Sequence, residues 1–179
     1  GSLAVDRNSN TVDMTTGTTT IVAADLDDNI GTSPVSIGFD FYFYGLRWTQ
    51  FSATSNGIIT LGSTAPSTTL YAISSGSTTT PRLSPFAADL RTGAGGKVHY
   101  KVVGTAPNRC LVIEFNNMSL LYVATPGSND GTYQARFYES GIVEYVYGAM
   151  SRNSGTSAST STVGIGFSVG TAVNTTASV

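Results

Sequence analysis

Few side chains in this sequence are equipped for covalent chemistry. His99 is the single histidine and Cys110 the single cysteine among 179 residues. A Ser-His-Asp relay would have to run through His99, and no Gly-x-Ser-x-Gly elbow accompanies it. By strand alternation His99 points away from the Val98/Tyr100/Val102 face and reads as a solvated strand histidine rather than a general base. Cys110 starts a strand, lacks a neighbouring histidine or helix N-terminus, and reads as a half-buried small residue rather than a nucleophile. One cysteine also excludes an intrachain disulfide and a cysteine-based zinc cluster.

Carboxylates offer two further chemistries. Asp89 and Glu114 stand in strongly apolar contexts and would form a glycosidase pair only if they faced each other across a cleft. The plainer expectation is that Asp89 accepts backbone hydrogen bonds at the turn after Pro85-Phe86 and that Glu114 lies on an outer face. Asp25-Leu26-Asp27-Asp28-Asn29 is the one acidic cluster, and the oxygens of Asp25, Asp27 and Asp28 suit calcium. It has no EF-hand glycine or terminal glutamate, so a solvated turn before Gly31 and Pro34 is the competing expectation.

Binding chemistry rests on aromatics. Tyr42, Tyr44 and Trp48 together would make a stacking platform for a sugar, with large contact area and polar tips. The alternative is that they fill or edge the core. Asn117-Met118-Ser119 and Asn174-Thr175-Thr176 match the glycosylation acceptor pattern, a frequent match in Ser/Thr-rich chains.

Composition narrows the partners. Only 11% of residues are charged, against roughly 25% in an average globular protein. The net charge is −2, and the seven arginines and two lysines are scattered. Nucleic acid, which needs clustered cations, is therefore not an expected partner. No apolar run reaches bilayer-spanning length, so membrane insertion is not expected either.

Any site must be positioned by short strands, because β-branched and aromatic residues alternate between Gly/Ser/Thr-rich turns and no helical period is present. In Val35–Tyr44, Ile37, Phe39, Phe41 and Phe43 share one face, and Tyr42 and Tyr44 share the other. Two hairpins can be read to register. A three-residue Ser55-Asn56-Gly57 loop with Gly57 left-handed places Ala53 against Ile59 and Phe51 against Leu61. A Glu139-Ser140-Gly141 loop, with Gly141 in the same role, sets Phe137 against Val143, Tyr133 against Tyr147 and Arg136 against Glu144. Further strands are expected at Ile21–Ala24, Lys97–Val103, Cys110–Phe115 and Val163–Val169.

Motifs in a fixed order carry a resemblance over residues 35–167. They are Phe41-Tyr42-Phe43-Tyr44-Gly45, Ser55-Asn56-Gly57-Ile58-Ile59-Thr60-Leu61-Gly62, Ser84-Pro85-Phe86-Ala87-Ala88-Asp89-Leu90, the Gly96–Tyr100 and Ala106–Phe115 strands, and the Tyr133–Tyr147 hairpin. This pattern resembles nidogen-like (NIDO) and plexin-domain-containing extracellular modules, and more closely the sandwich modules of large secreted or surface bacterial proteins. Ala87-Ala88 departs from the bulkier or acidic pair often found there. The Ser/Thr-rich inserts 63–80 and 151–162 are peculiar to this chain. The resemblance implies a non-catalytic module of adhesion, matrix organisation or display, and brings no catalytic residues with it.

The expectation is thus an all-β, two-sheet, mainly antiparallel β-sandwich over residues 21–170. Residues 1–20 would form an arm or edge strand and 171–179 a tail. The expected role is a non-enzymatic, extracellular or cell-surface module of a larger protein, with carbohydrate or a surface protein as partner and calcium as the one cofactor worth considering. A structural spacer positioning neighbouring domains is the alternative, and a glycan-acting hydrolase using Asp89 and Glu114 a weaker one.

Overall fold

The computed structural model describes residues 10–73, 80–120, 127–151 and 163–169, and the backbone of 174–177. Residues 1–9 of the expected arm and parts of both Ser/Thr-rich inserts lie outside the described residues. Within them are strands β1 (Thr19–Val22), β2 (Val35–Phe43), β3 (Leu46–Ala53), β4 (Ile59–Leu61), β5 (Arg82–Ala87), β6 (Arg91–Val103), β7 (Cys110–Ser119), β8 (Gly131–Tyr138), β9 (Val143–Met150), β10 (Gly164–Ser168) and β11 (Asn174–Ala177). They form a five-stranded sheet in the order β1-β6-β7-β8-β9 and a six-stranded sheet in the order β11-β10-β5-β4-β3-β2. The pairings are antiparallel, and the two sheets make the expected all-β sandwich. Strands β1 and β11 begin at Thr19 and Asn174, so the sheets reach beyond the 21–170 limits.

Alternation fills the space between the sheets with rings and branched side chains. Phe41 of β2 stacks on Phe137 of β8 at 5.2 Å. Phe51 of β3 meets the edge of Tyr100 in β6 at 5.3 Å. Tyr133, fully buried, stacks on Phe115 at 4.9 Å and tilts against Phe86 from the opposite sheet. Contacts of this kind add about 0.5–1.5 kcal/mol each to the burial itself.

Both hairpins have the expected register. Ala53 faces Ile59 and Phe51 faces Leu61, while Phe137 faces Val143 and Tyr133 faces Tyr147. Gly57 and Gly141 are left-handed, at φ +77° and +88°. Pro85 lies inside β5, where it lacks an N–H to donate. The register with β10 shifts at this place, Gly164 opposing Ala87 and Gly166 opposing Ser84. A bulge is where a strand proline can be tolerated.

One expectation about the outer face fails. His99 is only 1% exposed and Glu114 only 6%. Neither is a solvated surface group, because residues 10–18 lie across that face of the five-stranded sheet. Strand β7 is consequently buried on both sides from Cys110 to Phe115.

Candidate functional site

Strands β2 and β3 meet in a two-residue turn, Tyr44-Gly45, after the pairs Tyr42–Arg47 and Phe43–Leu46. Both turn residues have positive φ, +55° at Tyr44 and +75° at Gly45. That geometry matches the right-handed twist of the flanking strands and normally selects Asn-Gly or Asp-Gly. A tyrosine in the left-handed region is uncommon and strained. Its side chain is 57% exposed, beside Tyr42 at 56% and Leu46 at 57% on the same hairpin.

The hairpin is braced from beneath. The Trp48 indole N–H donates to the Phe43 carbonyl at 3.2 Å, and the half-buried ring packs against Gly62. Trp48 thus supports the tip, while Tyr42 and Tyr44 present their rings outward. Arg109 stands 5.3 Å above the Phe39 ring and donates to the Gly38 carbonyl at 3.1 Å. Its guanidinium also grips Glu139 through Nε at 2.9 Å and Nη2 at 2.6 Å. This bidentate pair holds the Glu139 carboxyl down at about 2 and ties β2 to the β8–β9 turn. In that turn Gly141 approaches the Tyr42 carbonyl, and Ile142 is 61% exposed. Asp40 and Arg47 pair at 2.8 Å on the exposed face of the hairpin.

The acidic cluster is divided. Asp25 Oδ1 accepts from Arg91 Nη2 at 2.9 Å and from the Gly127 N–H at 2.7 Å, which turns it to structural use. Asp28 Oδ1 accepts from Asn56 Nδ2 at 2.9 Å. Partial burial and the charge of Asp28 push the Asp27 carboxyl up. Partial desolvation also raises Asp89 although its side chain reaches solvent, and the charges of Asp27 and Asp28 add to it. Among the described residues no group of three or more His, Cys, Asp or Glu is arranged to hold a metal ion.

Asp89 itself is exposed, and the hydrogen bond that fixes its corner comes from elsewhere: Asn56 Oδ1 accepts the Leu90 N–H at 2.9 Å. Glu114 has other company. Its Oε1 meets His99 Nε2 at 2.9 Å and its Oε2 accepts from Gln134 Nε2 at 2.7 Å. Asp89 and Glu114 therefore belong to different neighbourhoods. His99 Nδ1 reaches Thr18 Oγ1 at 3.0 Å, and Arg136 continues the row to Gln134 and Glu144. Burial pushes the Cys110 thiol up to about 11, which leaves it a poor nucleophile. Asn117 of the first acceptor pattern is half-buried at φ +47°, and its Ser119 is buried. Side chains of the second lie outside the described residues.

The expected Arg136–Glu144 pair forms, at 3.1 Å. Sequence reasoning placed Asn56 only in its turn, and nothing local marked Gln134 as a partner for the arm.

The NIDO-related family matches residues 3–179, and the chain belongs to that family. Comparison with curated proteins and with solved structures returned no match. Among the described residues no helix is long and apolar enough to cross a membrane.

Proposed function

We propose that this domain is a non-catalytic extracellular module for adhesion or ligand binding within a larger surface or secreted protein, taking carbohydrate or a surface protein at the Tyr42–Tyr44 hairpin. The observation that carries this reading is Tyr44 itself: an exposed aromatic ring at a left-handed turn position where asparagine would cost less. Strain kept at an exposed position is compensated by something other than the fold. Tyr42, Leu46 and Ile142 add apolar surface beside it, on a chain with little charge to recruit partners. Aromatic rings with polar tips stack on sugar faces and also anchor protein interfaces. Membership of a nidogen-like family supports the extracellular placement.

The test is a glycan array and a panel of surface proteins, probed with wild type, Tyr42→Ala and Tyr44→Asn. Binding lost in both variants supports the hairpin as the site. Binding retained in both removes it, and absence of any ligand favours the spacer alternative.

A further inference from the structure

The outer face of the five-stranded sheet holds residues 10–18 through groups that read backbone. The Val12 N–H donates to Gln134 Oε1 at 2.9 Å, and Gln134 Nε2 donates to the Val12 carbonyl at 2.7 Å. Arg136 Nη2 donates to the Asn10 carbonyl. Lys101 Nζ donates to the Asp13 and Thr16 carbonyls at 2.6 and 3.1 Å. Met14, 5% exposed, packs with Cys110 and Val112, with Val12, Val103 and Tyr138 around them. Backbone hydrogen bonds combined with a side-chain pocket are how proteins recognise extended peptides.

Every one of these partners is remote in sequence, Gln134 lying 122 residues from Val12. Nothing in the groove therefore distinguishes the chain's own arm from the same arm on another copy. Thr15 to Gly17 are exposed, Gly17 has φ +70°, and an added Cβ there would meet nothing within 4 Å. Beside the arm a groove of 420 Å³ stays open between Thr11–Thr15 and Lys97, His99, Glu114 and Asn116. The arm is latched by hydrogen bonds and one buried methionine, not sealed into the core.

We propose that the face of the five-stranded sheet that holds residues 10–18 is a docking site for an extended segment, and that the segment it takes in trans is the arm of a second copy. The arm swings out at Gly17 and exchanges reciprocally, giving a two-fold dimer. Closed and exchanged molecules make the same arm contacts, so concentration and hinge strain set the balance between them. This is independent of what binds at Tyr42 and Tyr44.

The test is sedimentation of wild type over a range of concentrations, with isotope-filtered NOEs between labelled and unlabelled copies. The expected result is a concentration-dependent dimer with NOEs from the Met14 methyl to Val112 across copies. Gly17→Pro forbids the left-handed turn that closes the arm and is expected to raise the dimerisation constant about tenfold. A folded protein that stays monomeric in both forms overturns the proposal. So does a dimer in which the Met14–Val112 NOE remains within one copy.

Discussion

The carboxamide oxygen of Asn56 accepts the buried N–H of Leu90 at 2.9 Å, joining the β3–β4 turn to the corner between β5 and β6. The same amide donates to Asp28 Oδ1 at 2.9 Å and to the Thr68 carbonyl at 3.0 Å. One fully buried side chain thus gathers three loops. Asn56→Ala orphans the Leu90 N–H and should cost about 1–3 kcal/mol in urea unfolding. Asn56→Asp keeps the acceptor but turns a carboxylate toward Asp28. It should be the less stable variant at pH 7 and regain stability toward about pH 4, as the introduced carboxylate protonates. Equal stability of the two variants at both pH values would contradict this account.

Gly57 and Gly17 share a left-handed backbone and differ in surroundings. A Cβ on Gly57 would lie 1.9 Å from the Phe86 carbonyl oxygen, while one on Gly17 meets open space. Gly17→Ala should cost about 1 kcal/mol, the conformational term alone. Gly57→Ala must also push β5 away and should cost about 3 kcal/mol or more. Thermal melts of the pair separate backbone strain from steric exclusion.

Arg109 sets an acid limit on stability. The Glu139 carboxyl is held at about 2, below its ordinary 4.5, chiefly by the hydrogen-bonded Arg109 guanidinium. A depressed folded-state value means that its contribution is fully present above pH 4.5 and is lost as pH falls through about 2. Glu139→Gln should therefore be less stable than wild type at pH 7, with the gap closing across that window. Denaturant midpoints measured against pH give the difference directly, and a gap that does not change with pH would count against the pair.

Tyr44→Asn should separate stability from binding. Asparagine tolerates the left-handed turn better than tyrosine, and the exposed ring contributes little to the core. The variant is expected to unfold at a temperature equal to or above that of wild type while losing the ligand. Trp48→Ala should lower stability instead, since its ring and indole N–H brace the hairpin.

The hairpins were legible because a turn glycine and a two-residue alternation leave one register that keeps Phe51, Ala53, Ile59 and Leu61 on a common face. The exposure of Tyr42 followed from the same alternation. The burial of His99 and Glu114 was not legible, because alternation separates two faces without saying that both are covered. The covering segment, Thr11 to Thr18, is polar and carries no period. Apart from Val12 and Met14, it is held through its carbonyls and amides, which every sequence has. Asn56 was legible as a turn residue only, since its partners at positions 28, 68 and 90 converge through the tertiary fold.

Pro85 and its bulge bear on how the chain is made. Strand β5 is flanked by β4, which precedes it, and by β10, which is synthesised after the whole β6–β9 meander. During translation the β10 side of β5 is an unpaired edge, open to a neighbouring nascent chain. Proline at that edge removes a donor and bends the strand, which discourages a stray partner. The Gly164–Ser168 segment takes that edge with a register shift that accommodates Pro85.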